Sequence, residues 1–247
     1  MGVRIPVSLP MKGPSLPESL IADSALWLNV ISCSTPAFSY PASGQVVDLS
    51  TYANHGMSYQ TLIGPNGLIF DNVDDRISFG TNILNPRLAG ARGLSAAMLV
   101  RPLGLASGAG RNQLFGFNLN GSLSCISAWF TDSGRVTFGG RSQAADAFQY
   151  YTTPNVVAAD GVDVFMCGVI DFSVDILRIW VGERLVADQV MSFGSDTYQP
   201  GVSTLTDTIG ATASGTYPLN GIIKAFTLFR KPLDAGEISE VRELMMN

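Results

Sequence analysis

The chain has 247 residues, of which 14% are charged and 46% hydrophobic, and its formal net charge is −5. That acidic balance excludes a surface built to grip phosphates, so no nucleic-acid partner is expected; no apolar run is long enough to span a bilayer, so neither is a membrane. The low charge leaves two readings open: surface covered in an assembly, or a large β core under a Ser/Thr/Asn/Gly exterior.

Residues 1–19, MGVRIPVSLPMKGPSLPES, carry Pro6, Pro10, Pro14 and Pro17. Prolines at this spacing exclude a helix or a central strand and predict an extended, polyproline-like arm. It is either a tail or a tether onto a neighbouring subunit. Pro6 and Pro10 interrupt the only stretch that could serve as a signal-peptide core. Pro6 also stands where a myristoylation signal needs Ser or Thr. The chain is therefore expected to be made in the cytoplasm without a leader. Cys33, Cys125 and Cys167 have no metal-ligand or redox spacing. Cys125 and Cys167 sit in apolar runs and read as buried free thiols.

From residue 20 onward, strand signals recur at short intervals. Strands are predicted near 25–30, 45–48, 57–62, 67–71, 75–79, 94–101, 112–118, 123–130, 134–139 and 147–151, and again near 163–171, 175–181, 185–190, 205–210 and 221–230. Turn sequences such as GPNG, SGAG, DSGR and SGTYP separate them. This rhythm predicts an all-β fold and, since no linker or repeat follows residue 20, a single domain over 20–247. DILRIWVGERLVADQV (175–190) is the clearest hairpin, with Gly182-Glu183 as a two-residue turn. Its first strand is apolar on both faces, which places it between two layers or between a sheet and a partner.

The last element differs in kind. In KPLDAGEISEVRELMM (231–246), Asp234 fits an N-cap and Glu237 reaches back to complete a capping box. Leu233 and Ile238 are spaced as a hydrophobic staple. Pro232 closes the preceding strand, and Ile238, Val241 and Leu244 or Met245 form one apolar face. A helix of two to three turns is predicted from Ala235.

Three landmarks occur in order: VVDLSTYANHGMS (46–58), GLIFDNVDDRISFG (67–80) and YPLNGIIKAFTLFRKPLDAGEISEVREL (217–244). This succession resembles the laminin G-like members of the concanavalin A-like jelly-roll superfamily over about residues 20–246. The resemblance implies a two-sheet antiparallel jelly-roll sandwich with a short C-terminal helix. It also implies that the last strand lies beside the first and that the helix plugs one end of the sandwich.

Some members of that superfamily are glycoside hydrolases, which need two carboxylates across a sugar. The Glu-x-Asp-x-x-Glu strand pattern of the related endoglucanases is absent, and glutamates occur only at 18, 183, 237, 240 and 243. His55 is the single histidine and sits in a turn, so no nucleophile–histidine scheme has a second candidate. No catalytic residue is expected. Related domains bind Ca²⁺ at loop tips, and Asp71, Asn72, Asp74 and Asp75 have the oxygen density for it. The other reading is that these four residues only shape a turn and pair locally. Trp27, Trp129 and Trp180 fall within predicted strands and read as core. Tyr150, Tyr151, Tyr198 and Tyr217 fall near loops and are the candidate contact residues, for sugar or for protein. The resulting expectation is a non-enzymatic structural or adhesive virion component of a phage. It would assemble with itself, as a trimer, and with other virion proteins. The alternative is a lectin-like module for host glycans.

Overall fold

The computed structural model describes residues 18–29, 45–46, 50, 52, 54–64, 66–105, 110–120 and 123–247. Two antiparallel sheets face one another. The first contains, across its width, β14 (Arg184–Val190), β13 (Ile176–Val181), β12 (Val164–Asp171), β7 (Gly93–Pro102), β16 (Asn220–Phe229), β5 (Gly67–Asp71) and β4 (Leu62–Gly64), with β1 (Ser24–Asn29) also paired to β16. The second runs β11 (Gln149–Thr152), β10 (Val136–Gly140), β9 (Leu123–Phe130), β8 (Asn112–Asn120), β15 (Thr206–Ile209), β6 (Arg76–Thr81), β3 (Gly56–Tyr59) and β2 (Gln45–Val46). Short helical turns α1 (Glu18–Ile21) and α2 (Asn85–Leu88) and the helix α3 (Ala235–Met246) complete the elements.

Period-2 alternation decides which side chains meet between the sheets. Leu94, Ala96, Met98 and Val100 of β7 join the main core, together with Phe115 and Phe117 of β8, Ile126, Ala128 and Phe130 of β9, and Phe226 of β16. Phe226 packs edge-on against both Phe115 and Phe117, with ring centroids 5.2 and 5.8 Å apart. The sheets come closest where Phe138 of β10 lies on Gly168 of β12. A Cβ at Gly168 would overlap that ring.

The intervening residues of the first sheet form a second apolar layer on its other face. Trp27, Ala97, Leu99, Phe165, Cys167, Val169 and Phe229 pack there under Ile238, Val241 and Met245 of α3. The resemblance implied a helix plugging one end of the sandwich. Instead the helix lies across this outer face, over β7 and β12. The cause is local. Ser95 of β7 accepts from the Leu233 N–H (2.9 Å) and donates to the Lys231 carbonyl (2.7 Å), clipping the link to the sheet just before the helix starts. The predicted capping box is present: Asp234 accepts from the Glu237 N–H (2.9 Å), and Glu237 accepts from the Asp234 N–H (3.0 Å). With both faces covered, β7 and β12 are buried almost throughout, which explains their unbroken apolar runs.

One local expectation changes. The strand predicted over 57–62 is two strands in different sheets. Gln60 adopts a left-handed backbone (φ 57°) between them, and Thr61 N–H bonds back to Tyr59 O (2.7 Å). The proline-rich arm over 1–19 lies outside the described residues up to 17, while Glu18 opens a helical turn that runs to Ile21 and carries the fully buried Leu20. The hairpin turn at Gly182-Glu183 is as predicted, with Gly182 at φ 59°. Cys125 and Cys167 are buried free thiols, and burial pushes both pKa values well up, so neither is a nucleophile at neutral pH. Cys33 lies outside the described residues.

Candidate functional site

Among the described residues, no helix covers the outer face of the second sheet. From Tyr150 the cross-strand pairing runs through Gly139, Ser127, Gly116, Thr208 and Ser78, five small residues in line on that face. Against this low floor stands a file of large side chains. Tyr217 lies over the Arg111 guanidinium at 4.3 Å, and Arg111 lies over Trp129 at 4.9 Å. Trp129 is 6.0 Å from Tyr150, Tyr150 stacks on Phe148 at 6.3 Å, and Arg141 sits 5.5 Å from Phe148.

Each member arrives from a different segment. Trp129 points outward because Ala128 and Phe130, its neighbours in β9, take the two inward positions and are fully buried. Tyr150 is outward for the same reason, its neighbour Tyr151 packing against the main core. Arg111 precedes β8, and Tyr217 comes from the loop between β15 and β16, held there because its carbonyl accepts from Gln113 N–H (2.9 Å). Gln113 is itself buried and spans to β9 through its side-chain amide, which donates to Ser127 Oγ (2.8 Å).

The electrostatics of the file are one-sided. Burial lowers the pKa of Arg111, though not enough to discharge a guanidinium. Its Nη2 donates to Gln113 Oε1 (2.8 Å), its Nε is buried without a partner, and among the described residues it makes no salt bridge. Arg141 is likewise desolvated, with its Nη1 donating to the Asp146 carbonyl (3.0 Å) and its Nε unpartnered. The Asp146 carboxylate is fully engaged by Ser142, Gln143 and Gly194. Burial works against its charge, but these hydrogen bonds outweigh it and hold its pKa below the usual carboxylate range. It is a loop clamp, unsuited to donating a proton.

The four tyrosines singled out from the sequence separate into two pairs. Tyr150 (58% exposed) and Tyr217 (41%) stand on the open face. Tyr198 is fully buried, its hydroxyl donating to Asn85 Oδ1, and burial pushes its pKa up. Tyr198 is therefore no surface contact, and Tyr151 is half-buried, packed against the main core rather than standing on the open face. The tryptophans also divide: Trp27 is core, Trp180 is half-buried against the helix layer, and Trp129, expected in the core, is half-exposed on the open face. A signal for Trp129 was present in its strand, since Ile126, Ala128 and Phe130 already supply the inward set. Nothing local marks Arg111, which joins the file only through strand pairing.

The acidic turn is held by its own hydrogen bonds. Among the described residues no group of three or more His, Cys, Asp or Glu side chains is placed to hold a metal. Asp71 accepts from Val73 N–H (2.9 Å) and shapes the turn, with Asn72 at φ 68°. Asp74 accepts from Gln60 Nε2 (2.8 Å), tying together the two turns at which the chain changes sheets. Asp75 points inward, is 2% exposed, accepts from Asp71 N–H (2.9 Å) and leaves its Oδ1 without a partner. Burial, helped by the charges of Asp71 and Asp74, raises its pKa to about 6 against the opposing Asp71 hydrogen bond. The three carboxylates therefore shape and tie the turn, and Asn72 supplies its left-handed backbone.

No protein-family model matches the chain, and no curated protein sequence matches it either. Solved structures do. A Trypanosoma rangeli sialidase, in complex with a difluoro-KDN, superposes with a TM-score of 0.63 at 16% identity over 97% of this chain and 35% of that one. The fold is a lectin-like β-sandwich. Two further structures agree with it. The CBM40 of a Ruminococcus gnavus IT-sialidase, bound to α2,3-sialyllactose, matches at TM-score 0.53 and 15% identity, over 89% of this chain and 99% of that one. A structure of botulinum neurotoxin type C, described as depending on two ganglioside molecules for cell entry, matches at 0.59 and 14%, over 92% and 52%. This chain thus spans about a third of the sialidase and about half of the neurotoxin chain, but nearly all of the CBM40.

Proposed function

We propose that this protein is a non-catalytic glycan-binding module whose site is the open face carrying Tyr150, Trp129, Arg111 and Tyr217. The observation that carries this reading is the file itself: exposed aromatic rings and a guanidinium, braced by one another, on the uncovered face of a lectin-like sandwich. Sugar rings present apolar C–H faces and polar rims, which match aromatic platforms beside hydrogen-bonding groups. Two neighbours in fold, the CBM40 and the neurotoxin structure, are named with sialyllactose and with gangliosides respectively, which agrees with a glycan-binding role. A catalytic role has less behind it: Asp146, beside Arg141, is consumed by its own loop, and Asp132, beside Arg111, accepts from Gly110 N–H (3.0 Å). Placement on a virion, a homotrimer and the narrower laminin G-like kinship are compatible with this reading but do not carry it.

A broad glycan array tests it. Saturable binding is expected, unchanged by a chelator because the acidic turn does not converge on a metal, and lost in Trp129→Ala and Tyr150→Ala. An array without hits, or hits that survive both substitutions, rejects the site.

A further inference from the structure

We propose that the face selects acidic glycans, with a sugar carboxylate docking on Arg111. This inference rests on the glycan-binding reading above and names the class of sugar.

The argument begins with what Arg111 lacks. A guanidinium carries five N–H donors, and among the described residues one hydrogen bond is made, to Gln113 Oε1. Several other cations are paired with carboxylates, although Arg76, Arg87, Arg141 and Arg230, like Arg111, make no salt bridge among the described residues. Arg101 makes two 2.8 Å bonds to Asp163, which also takes Lys224 at 2.6 Å; Lys231 bridges to Asp23 and Glu237; Arg242 bridges to Glu183. Arg111 is half-buried, yet among the described residues no carboxylate forms a salt bridge with it. Removing a charge from water without a counter-charge is costly. Trp129 and Tyr217 repay part of that cost through their ring faces; with Nε buried and Nη2 already donating to Gln113, the donors left for a ligand lie at the Nη1/Nη2 end of the guanidinium.

The same two rings hold the group still. An arginine clamped between aromatic faces has lost its rotamer freedom before any ligand arrives, so a planar anion meets a fork already in place. Carboxylate is the anion whose geometry matches that fork in two parallel bonds. A neutral sugar would leave the charge uncompensated. Arg141 stands at the other end of the file, buried and with an unpartnered Nε, beside the Asp146 loop.

The test compares matched probes by calorimetry on the full-length protein: α2,3-sialyllactose against lactose, and a trigalacturonate against its methyl ester. At least one acidic member is expected to bind ten-fold or more tighter than its neutral partner, with affinity falling as NaCl rises from 50 to 500 mM. Arg111→Gln should erase the discrimination. Arg111→Lys should keep the salt dependence but weaken acidic binding about ten-fold, because the fork is lost. Should Arg111→Gln fail to fold, the Lys variant and the wild-type salt titration decide alone. Equal binding of acidic and neutral probes, lost in Tyr150→Ala, overturns the acidic selectivity and leaves the glycan site standing. Binding of none of these probes, with array hits confined to neutral glycans, also overturns it. An array with no hits removes both readings.

Discussion

The two outer faces of this sandwich are built from the same kind of strand and finished in opposite ways. On the first sheet, Trp27, Leu99, Phe165 and Phe229 are roofed by α3, so the face becomes a second core. On the second sheet the corresponding positions are Gly139, Ser127, Gly116, Thr208 and Ser78, with the aromatic–guanidinium file beside them and no helix above among the described residues. One face spends its apolar surface on stability; the other keeps its rings half-exposed. Sheet faces with large apolar side chains and no cover are uncommon on isolated domains and mark contact sites.

Substitutions should separate the two faces sharply. The largest effect is expected from Val241→Asp, which buries an unpaired carboxylate beneath α3. Its cost should exceed about 4 kcal/mol, seen as loss of the cooperative urea transition or of soluble protein. A Val241→Asp protein that melts like the wild type would mean the helix is not docked.

Next comes the turn that joins the sheets. The folded pKa of Asp75, about 6, lies above its unfolded value. The unfolded chain therefore releases this proton first as pH rises, and the group lowers stability progressively between about pH 4 and pH 6. By pH 7.5 the penalty is about 3 kcal/mol. Asp75→Asn should remove that decline, gaining on the wild type at pH 7.5 and little at pH 4. Parallel denaturation curves at both pH values for the two proteins would refute the buried carboxylate.

Smaller again is Asp234→Ala, which removes one half of the capping box and should cost about 1 kcal/mol in a urea melt without altering binding. Smallest in stability is Tyr150→Ala. Its ring is largely in solvent, so a change within about 0.5 kcal/mol is expected, together with loss of glycan binding. A large destabilisation by Tyr150→Ala would mean that the open face is structural after all.

Most strand positions were legible because their signals are local. Alternation over two residues, the Gly182-Glu183 turn, Pro232 and the Asp234 cap each act within a few residues of themselves. The break at Gln60 was not legible. Met57, Ser58 and Tyr59 continue the alternation up to it, and a left-handed glutamine has no sequence mark. Half of the site was visible as loop tyrosines, of which Tyr150 and Tyr217 stand on the face and Tyr151 and Tyr198 do not. Proximity to a loop measures chain position, whereas burial depends on which segment folds over a residue, and α2 with its Asn85 closes over Tyr198.

What the sequence determined by itself was the set of strands, the capped helix and the kind of core they could make, since period and caps are properties of neighbouring residues. The tertiary structure decided the rest: that α3 roofs one sheet and leaves the other open, and that Arg111 lies between Trp129 and Tyr217. Those three residues are far apart along the chain, and only strand register, set by all the pairings at once, brings a cation and two rings into a single stack.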